Sequence, residues 1–165
     1  MRTVFRAFDA YGDRGTTAST LNRGLRPAIA AVLLVSGIGW ASPSFAVGAL
    51  AVGVPDSIAQ QGFASGYATN RSSSHSARRR ALYECRHAPS TDIAHARCIV
   101  VRTFTDKCVA ISMDPVAGTP GAGWAIGHTI ADAQRDALAN CEATAGPGRH
   151  GRCEISASHC DGGAR

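Results

Sequence analysis

The sequence is poor in the arrangements from which metal sites, hydrolases and nucleic-acid readers are built. It contains no C-x-x-C, and the gaps of 13, 10, 33, 12 and 7 residues between its six cysteines match no zinc finger or ribbon. No two of its histidines, His75, His87, His95, His128, His150 and His159, stand at the i, i+4 spacing of a helical ligand pair. A nucleophile elbow requires G-x-S-x-G, whereas "GFASGYA" (Gly62 to Ala68) supplies G-x-x-S-G, so Ser65 reads as an ordinary strand residue. Aromatic residues make up 6% of the chain, too few for a base-stacking platform. No apolar run reaches the roughly 20 residues that a spanning helix needs.

What the sequence does contain begins with an export pattern. Pro27 to Ala41, "PAIAAVLLVSGIGWA", is an uncharged run that follows Arg23 and Arg26 and precedes Ser44-Phe45-Ala46. A positive segment, an apolar segment and small residues at minus three and minus one make residues 1–46 a signal peptide with cleavage after Ala46. Five of the 17 basic and two of the 12 acidic residues leave with it, so the net charge falls from +5 to +2. That small excess, with the few aromatics, disfavours nucleic acid as a partner. Six cysteines behind an export signal read as a disulfide framework.

The remaining chain, 47–165, repeats itself. "SARRRALYEC" (Ser76 to Cys85) returns 56 residues later as "DAQRDALANC" (Asp132 to Cys141), sharing Ala, Arg, Ala, Leu and Cys. Upstream, "ALAVGVPDSIAQQG" (Ala49 to Gly62) lies against "CVAISMDPVAGTPG" (Cys108 to Gly121) at an offset of 59. Downstream, "RCIVV" (Arg97 to Val101) lies against "RCEIS" (Arg152 to Ser156) at 55, and Cys108 against Cys160 at 52. Drifting offsets are what unequal loops produce between retained elements. The spacing predicts strand, strand, helix, strand in two repeats, about 49–107 and 108–160, with strands at 49–54, 62–69, 97–105, 108–113, 122–128 and 152–158 and helices at 74–86 and 130–143.

Ala77, Ala81, Leu82 and Cys85 line one helical face, as do Ala133, Ala137, Leu138 and Cys141. Ser73 and Thr129 stand at the N-cap positions, and Thr129 with Asp132 approximates a capping box. The fold expected is α+β: two pseudo-symmetric repeats forming one antiparallel sheet of about six strands, covered by two helices.

Six cysteines allow fifteen pairings. Cys85 with Cys98, and Cys141 with Cys153, each join a helix end to the following strand, so a local bridge within each repeat is the economical choice. Cys108 and Cys160 remain as equivalent partners, and a bridge between them fits a pseudo-twofold axis relating the repeats. A connectivity that crosses the repeats at Cys85 or Cys141 would overturn this assignment.

The A-x-x-x-A-L-x-x-C helices, the C-x-[IV] strand after each and the "CVAI" that opens the second half resemble the bacterial exported family known as domain of unknown function 4189. The resemblance runs from about Ala49 to Cys160. It implies the aromatic, glycine-rich text ahead of each helix, kept at Trp124 with Gly121, Gly123 and Gly127 and weaker at Phe63, Gly66 and Tyr67. It implies no activity, catalytic residue or cofactor.

"GAGWAIG" (Gly121 to Gly127) has its third glycine one residue late for a dinucleotide loop, so these glycines read as strand positions of close backbone approach. Arg78, Arg79 and Arg80 fan across about 200° of a helix and form a solvated face. Asp132 and Asp136 replace Ser76 and Arg80 in the second copy, so a side-by-side pairing of a basic with an acidic helix is one expectation. Asn70-Arg71-Ser72 is a glycosylation sequon, relevant only in a host that glycosylates.

The functional expectation is a non-catalytic, secreted or periplasmic interaction module with a protein partner, no metal, no cofactor and no membrane span after cleavage. Its candidate binding surface is Arg78, Arg79, Arg80, Tyr67 and Trp124. The alternative is a small secreted hydrolase whose Ser, His and Asp converge only in space, with His159 beside Asp161 the first to test. A cleft holding a histidine within reach of Ser, Asp or Glu would favour the enzyme, and a flat patch around Trp124 and Tyr67 the module.

Overall fold

Alanine stripes and hydroxyl caps decide where the two long helices form. In the computed structural model, which describes residues 46–165, α2 (Ser74–Arg86) follows Ser73, whose hydroxyl accepts the Ser76 N–H at 3.2 Å. Helix α4 (Ile130–Ala145) follows Thr129, whose hydroxyl accepts the Asp132 N–H at 3.1 Å. Each cap satisfies one of the orphan amides of a first helical turn. Two short helices that the periodicity did not suggest, α1 (Ile58–Gln61) and α3 (Asp92–Ala96), fill connections.

The strands are β1 (Val47–Gly53), β2 (Ala64–Arg71), β3 (Cys98–Phe104), β4 (Cys108–Met113), β5 (Ala122–Gly127) and β6 (Glu154–Cys160). They do not form one six-stranded sheet. There are two antiparallel three-stranded sheets, ordered β2-β1-β3 and β5-β4-β6, each with its first strand in the middle.

Both middle strands are apolar on both faces. Ala49 and Ala51 face α2, within a core that includes Ala77, Ala81 and Cys85, while Leu50 and Val52 pack with Val109, Ile111, Phe63 and Phe104. Cys108 and Ala110 meet Ala133 and Ala137 of α4. The layers therefore run α2, first sheet, second sheet, α4. A single sheet covered on one face would leave Leu50, Val52, Val109 and Ile111 in water, at a cost of about 1.5–3 kcal/mol each.

Small side chains let each helix lie close to its sheet. A Cβ added to Gly66 would collide with the backbone of Ala81, Glu84 and Cys85, and one added to Gly123 with that of Ala137, Asn140 and Cys141. Ser112, fully buried, donates its hydroxyl to the Ala137 carbonyl of α4 at 2.6 Å.

Disulfides join Cys85 to Cys98, Cys141 to Cys153 and Cys108 to Cys160. The last does not relate one half to the other, because Cys108 and Cys160 are register partners on β4 and β6 of the second sheet. The corresponding pair in the first sheet, at the offset of 59, is Ala49 and Thr103, which carry no bridge. The halves are instead held by the inter-sheet core and by a polar tie. Buried Asp161 accepts the Asn70 N–H at 2.6 Å, and Asn70 accepts the Gly162 N–H at 3.0 Å.

Candidate functional site: a basic face on α2 and β2

Because Ala77, Ala81 and Cys85 commit one face of α2 to the sheet, Arg78, Arg79 and Arg80 are left exposed on the others. Two adjoining depressions open along this face. One, of about 770 Å³, runs from Ser65–Thr69 and Arg71 of β2 to Arg80, Glu84 and His87, with His159 of β6 on its far side. The second, of about 630 Å³, is lined by Arg71, His75, Arg79, Arg80, Tyr83 and Arg86 among others. Glu84 is the one acidic side chain lining either.

Glu84 is paired with Arg80 one turn back, and the Arg80 guanidinium lies 5.3 Å from the Tyr83 ring centroid. Among the described residues, Arg71, Arg78, Arg79 and Arg86 form no ion pair, so the face carries uncompensated positive charge. Aromatic contacts stiffen it. Tyr83 stacks on His87 at 4.1 Å and Tyr67 on His159 at 4.7 Å, centroid to centroid. Burial, and then the Glu84 carboxylate, push the Tyr67 phenol above its ordinary pKa of 10.0, so at neutral pH it is an uncharged donor.

The structure thus brings Tyr67 and Arg80 into one depression and Arg79 into the next; Arg78 lines neither. Trp124 is elsewhere. It stacks on Phe63 at 6.0 Å and lines a small cleft with Val101, Arg102 and Ile126, while its side chain and that of Tyr67 both pack against the inter-sheet core. The pairing of a basic with an acidic helix is not made either. The two helices cover opposite outer faces, Arg80 pairs with Glu84, and Asp132 and Asp136 both pair with Arg135 of their own helix.

Reading Arg78 to Arg80 alone missed Arg71, Arg86 and His87. The repeat held the signal, since Arg86 of α2 aligns with Glu142 of α4.

The larger depression also contains Ser65, Glu84, His87 and His159. Their bonds do not form a relay. His87 Nδ1 donates to the Tyr83 carbonyl at 2.7 Å, Glu84 engages Arg80, and among the described residues no histidine is hydrogen-bonded to a serine hydroxyl. His159 is committed to Tyr67, and Asp161 to Asn70. No cluster of three His, Cys, Asp or Glu among the described residues is arranged to hold a metal.

A more apolar hollow of about 560 Å³ opens at one end of the sandwich, between α1, the 87–91 connection and the β4–β5 loop. Beside it, Asp114 receives both arms of Arg149 at 2.7 and 2.6 Å. That guanidinium holds the Asp114 carboxyl down at about 2. Glu142 is likewise lowered, because its two oxygens accept the Gly151 and Cys153 N–H groups.

The proposed signal peptide, 1–46, lies outside the described residues apart from Ala46, and no helix among those described is long and apolar enough to cross a membrane. Comparison with family models matches residues 48–160 to Domain of unknown function (DUF4189). Comparison with curated proteins and with solved structures returns no match.

Proposed function

The chain belongs to the family described as Domain of unknown function (DUF4189), and from its basic face we propose an exported, disulfide-stabilised, non-catalytic interaction module. It acts in the cell envelope or outside the cell and binds a protein partner along α2 and β2. The observation that carries this reading is the set of Arg71, Arg79, Arg80 and Arg86 around two depressions with Glu84 as the one acidic lining residue. Complementary surface charge steers partners and fixes their orientation.

The reading includes export through residues 1–46 and an internal duplication. Support for pseudo-symmetric repeats comes from the 56-residue echo, the matching strand order of the two sheets, and the equivalent seats of Gly66 and Gly123 beneath their helices. On this view the alanines, glycines and helix-to-strand bridges are scaffold, and the residues that differ carry the specific role. Helix α4 neutralises its own Arg135 with Asp132 and Asp136, whereas α2 pairs Arg80 with Glu84 and, among the described residues, leaves Arg78, Arg79 and Arg86 without an ion pair.

The test is crosslinking capture with the oxidised chain, alongside a reduced control, in extracts of the cell envelope and culture medium. A discrete partner captured by the oxidised chain and lost on reduction is the expected result. No partner, together with turnover of a generic ester or peptide substrate, would replace the module with the hydrolase.

A further inference from the structure

The larger depression has an unusual floor. Ser65, Gly66, Tyr67, Ala68 and Thr69 line it consecutively, although side chains in a strand alternate between faces. Five successive residues can line one hollow only if it exposes the edge of the strand. Among the described residues strand β2 is an edge, paired with β1 alone. Among the described residues, no hydrogen bond outside that pairing reaches the backbone of 65–69. Immediately beyond, at Asn70, the backbone takes a φ of 55° and its N–H turns to Asp161, which ends the free stretch.

An unpaired row of N–H and C=O groups is a template for another strand, and proteins ordinarily blunt such edges. Among the described residues no other strand pairs with this one, and the hollow it floors is also lined by Arg71 and Arg80. Resting on the reading of the basic face given above, we infer that its occupant is an extended acidic polypeptide segment that adds to β2 as a fourth strand.

The main-chain groups of Ser65–Thr69 supply the pairing, as in other β-augmentation. Acidic side chains on the helix side of the added strand meet Arg71 and Arg80, and those that reach further meet Arg79. Glu84 lies in the same hollow and opposes negative charge, so it limits affinity. A segment of about five residues matches the free length of the edge.

The proposal is tested by titrating the oxidised, ¹⁵N-labelled chain with defined probes: an octapeptide alternating Thr and Glu, its Thr/Lys counterpart, and a peptide of equal charge with proline at alternate positions. An eight-base single strand of thymidines and phosphatidylglycerol vesicles complete the set. The Thr/Glu peptide is expected to bind, to slow amide exchange at alternate residues of 65–69, and to weaken at least tenfold in the doubly substituted R71E/R79E chain. Glu84→Gln is expected to strengthen binding a few-fold. Both variants leave the buried alanine face untouched, and circular dichroism verifies their fold.

Equal binding of the proline-interrupted peptide, or binding without protection of β2, would overturn strand addition. Tighter binding of the oligonucleotide or the vesicles would overturn the polypeptide assignment. Failure of every peptide while a partner is still crosslinked to α2 would reject the strand mode and leave the basic face standing; loss of both would reject the face as well.

Discussion

Asp114 is the residue whose chemistry is most clearly set by its surroundings. Its side chain is fully buried and holds Arg149 through two charge-assisted bonds. Folding lowers its pKa from 3.8 to about 2, so the folded state favours the charged form. The stability this contributes is complete above pH 4 and is lost as the pH falls through 4 towards 2.

Denaturant unfolding of Arg149→Met is therefore expected to give lower stability than the parent at pH 7 and a smaller further loss between pH 4 and pH 2. Parallel curves for the two chains over that interval would contradict the assignment. Asp132, also lowered by its hydrogen bonds, acts equally in both chains.

At the scale of elements, the helices and their caps were legible because alanine spacing and a preceding hydroxyl coincide at Ser73 and Thr129. The bridges were legible because each long helix carries a cysteine near its C-terminal end, with another at the start of, or just before, the next strand. The layering was not read, although its signal was present. "ALAV" and "CVAI" put small residues at one parity and large ones at the other, and a middle strand apolar on both faces needs cover on both.

Reading only the helix-facing alanines leads to one sheet, whereas Leu50, Val52, Val109 and Ile111 demand a second. Reading the Cys108–Cys160 bridge as one between the two halves failed for a related reason. Sheet neighbours can be far apart in sequence, and strand order is not written in cysteine spacing.

The close seating of the helices gives the element-scale prediction. Gly66→Ala and Gly123→Ala each force a methyl into helix backbone, which cannot rotate away as a side chain could. Each is expected to cost about 1–3 kcal/mol, the usual range for overpacking. Gly163→Ala, where nothing lies within 4 Å, is expected to stay within about 0.5 kcal/mol. Equal stabilities of all three variants would mean that the helices do not lie against the sheets at those glycines.

For the molecule as a whole, stability and function are divided between different residues. On the chain-entropy account the 12- and 13-residue bridges contribute about 3 kcal/mol each and the 52-residue bridge about 4 kcal/mol. None joins one sheet to the other, so the interface between halves rests on apolar packing and the Asn70–Asp161 tie. The basic face was partly legible, since the arginine run is visible in the sequence. Its reach to Arg71 of β2 and His159 of β6 was not, because only the fold brings those positions to the same hollow.

The central claim is that recognition belongs to α2 and not to its counterpart α4. A photoreactive p-benzoylphenylalanine at Tyr83, exposed on the basic face, compared with one at Ala139, its equivalent 56 residues on and also exposed, tests it most directly. The account predicts a discrete adduct from position 83 that is absent from position 139 and lost in R79E/R86E. Equal capture from both positions, or capture from 139 alone, would contradict it.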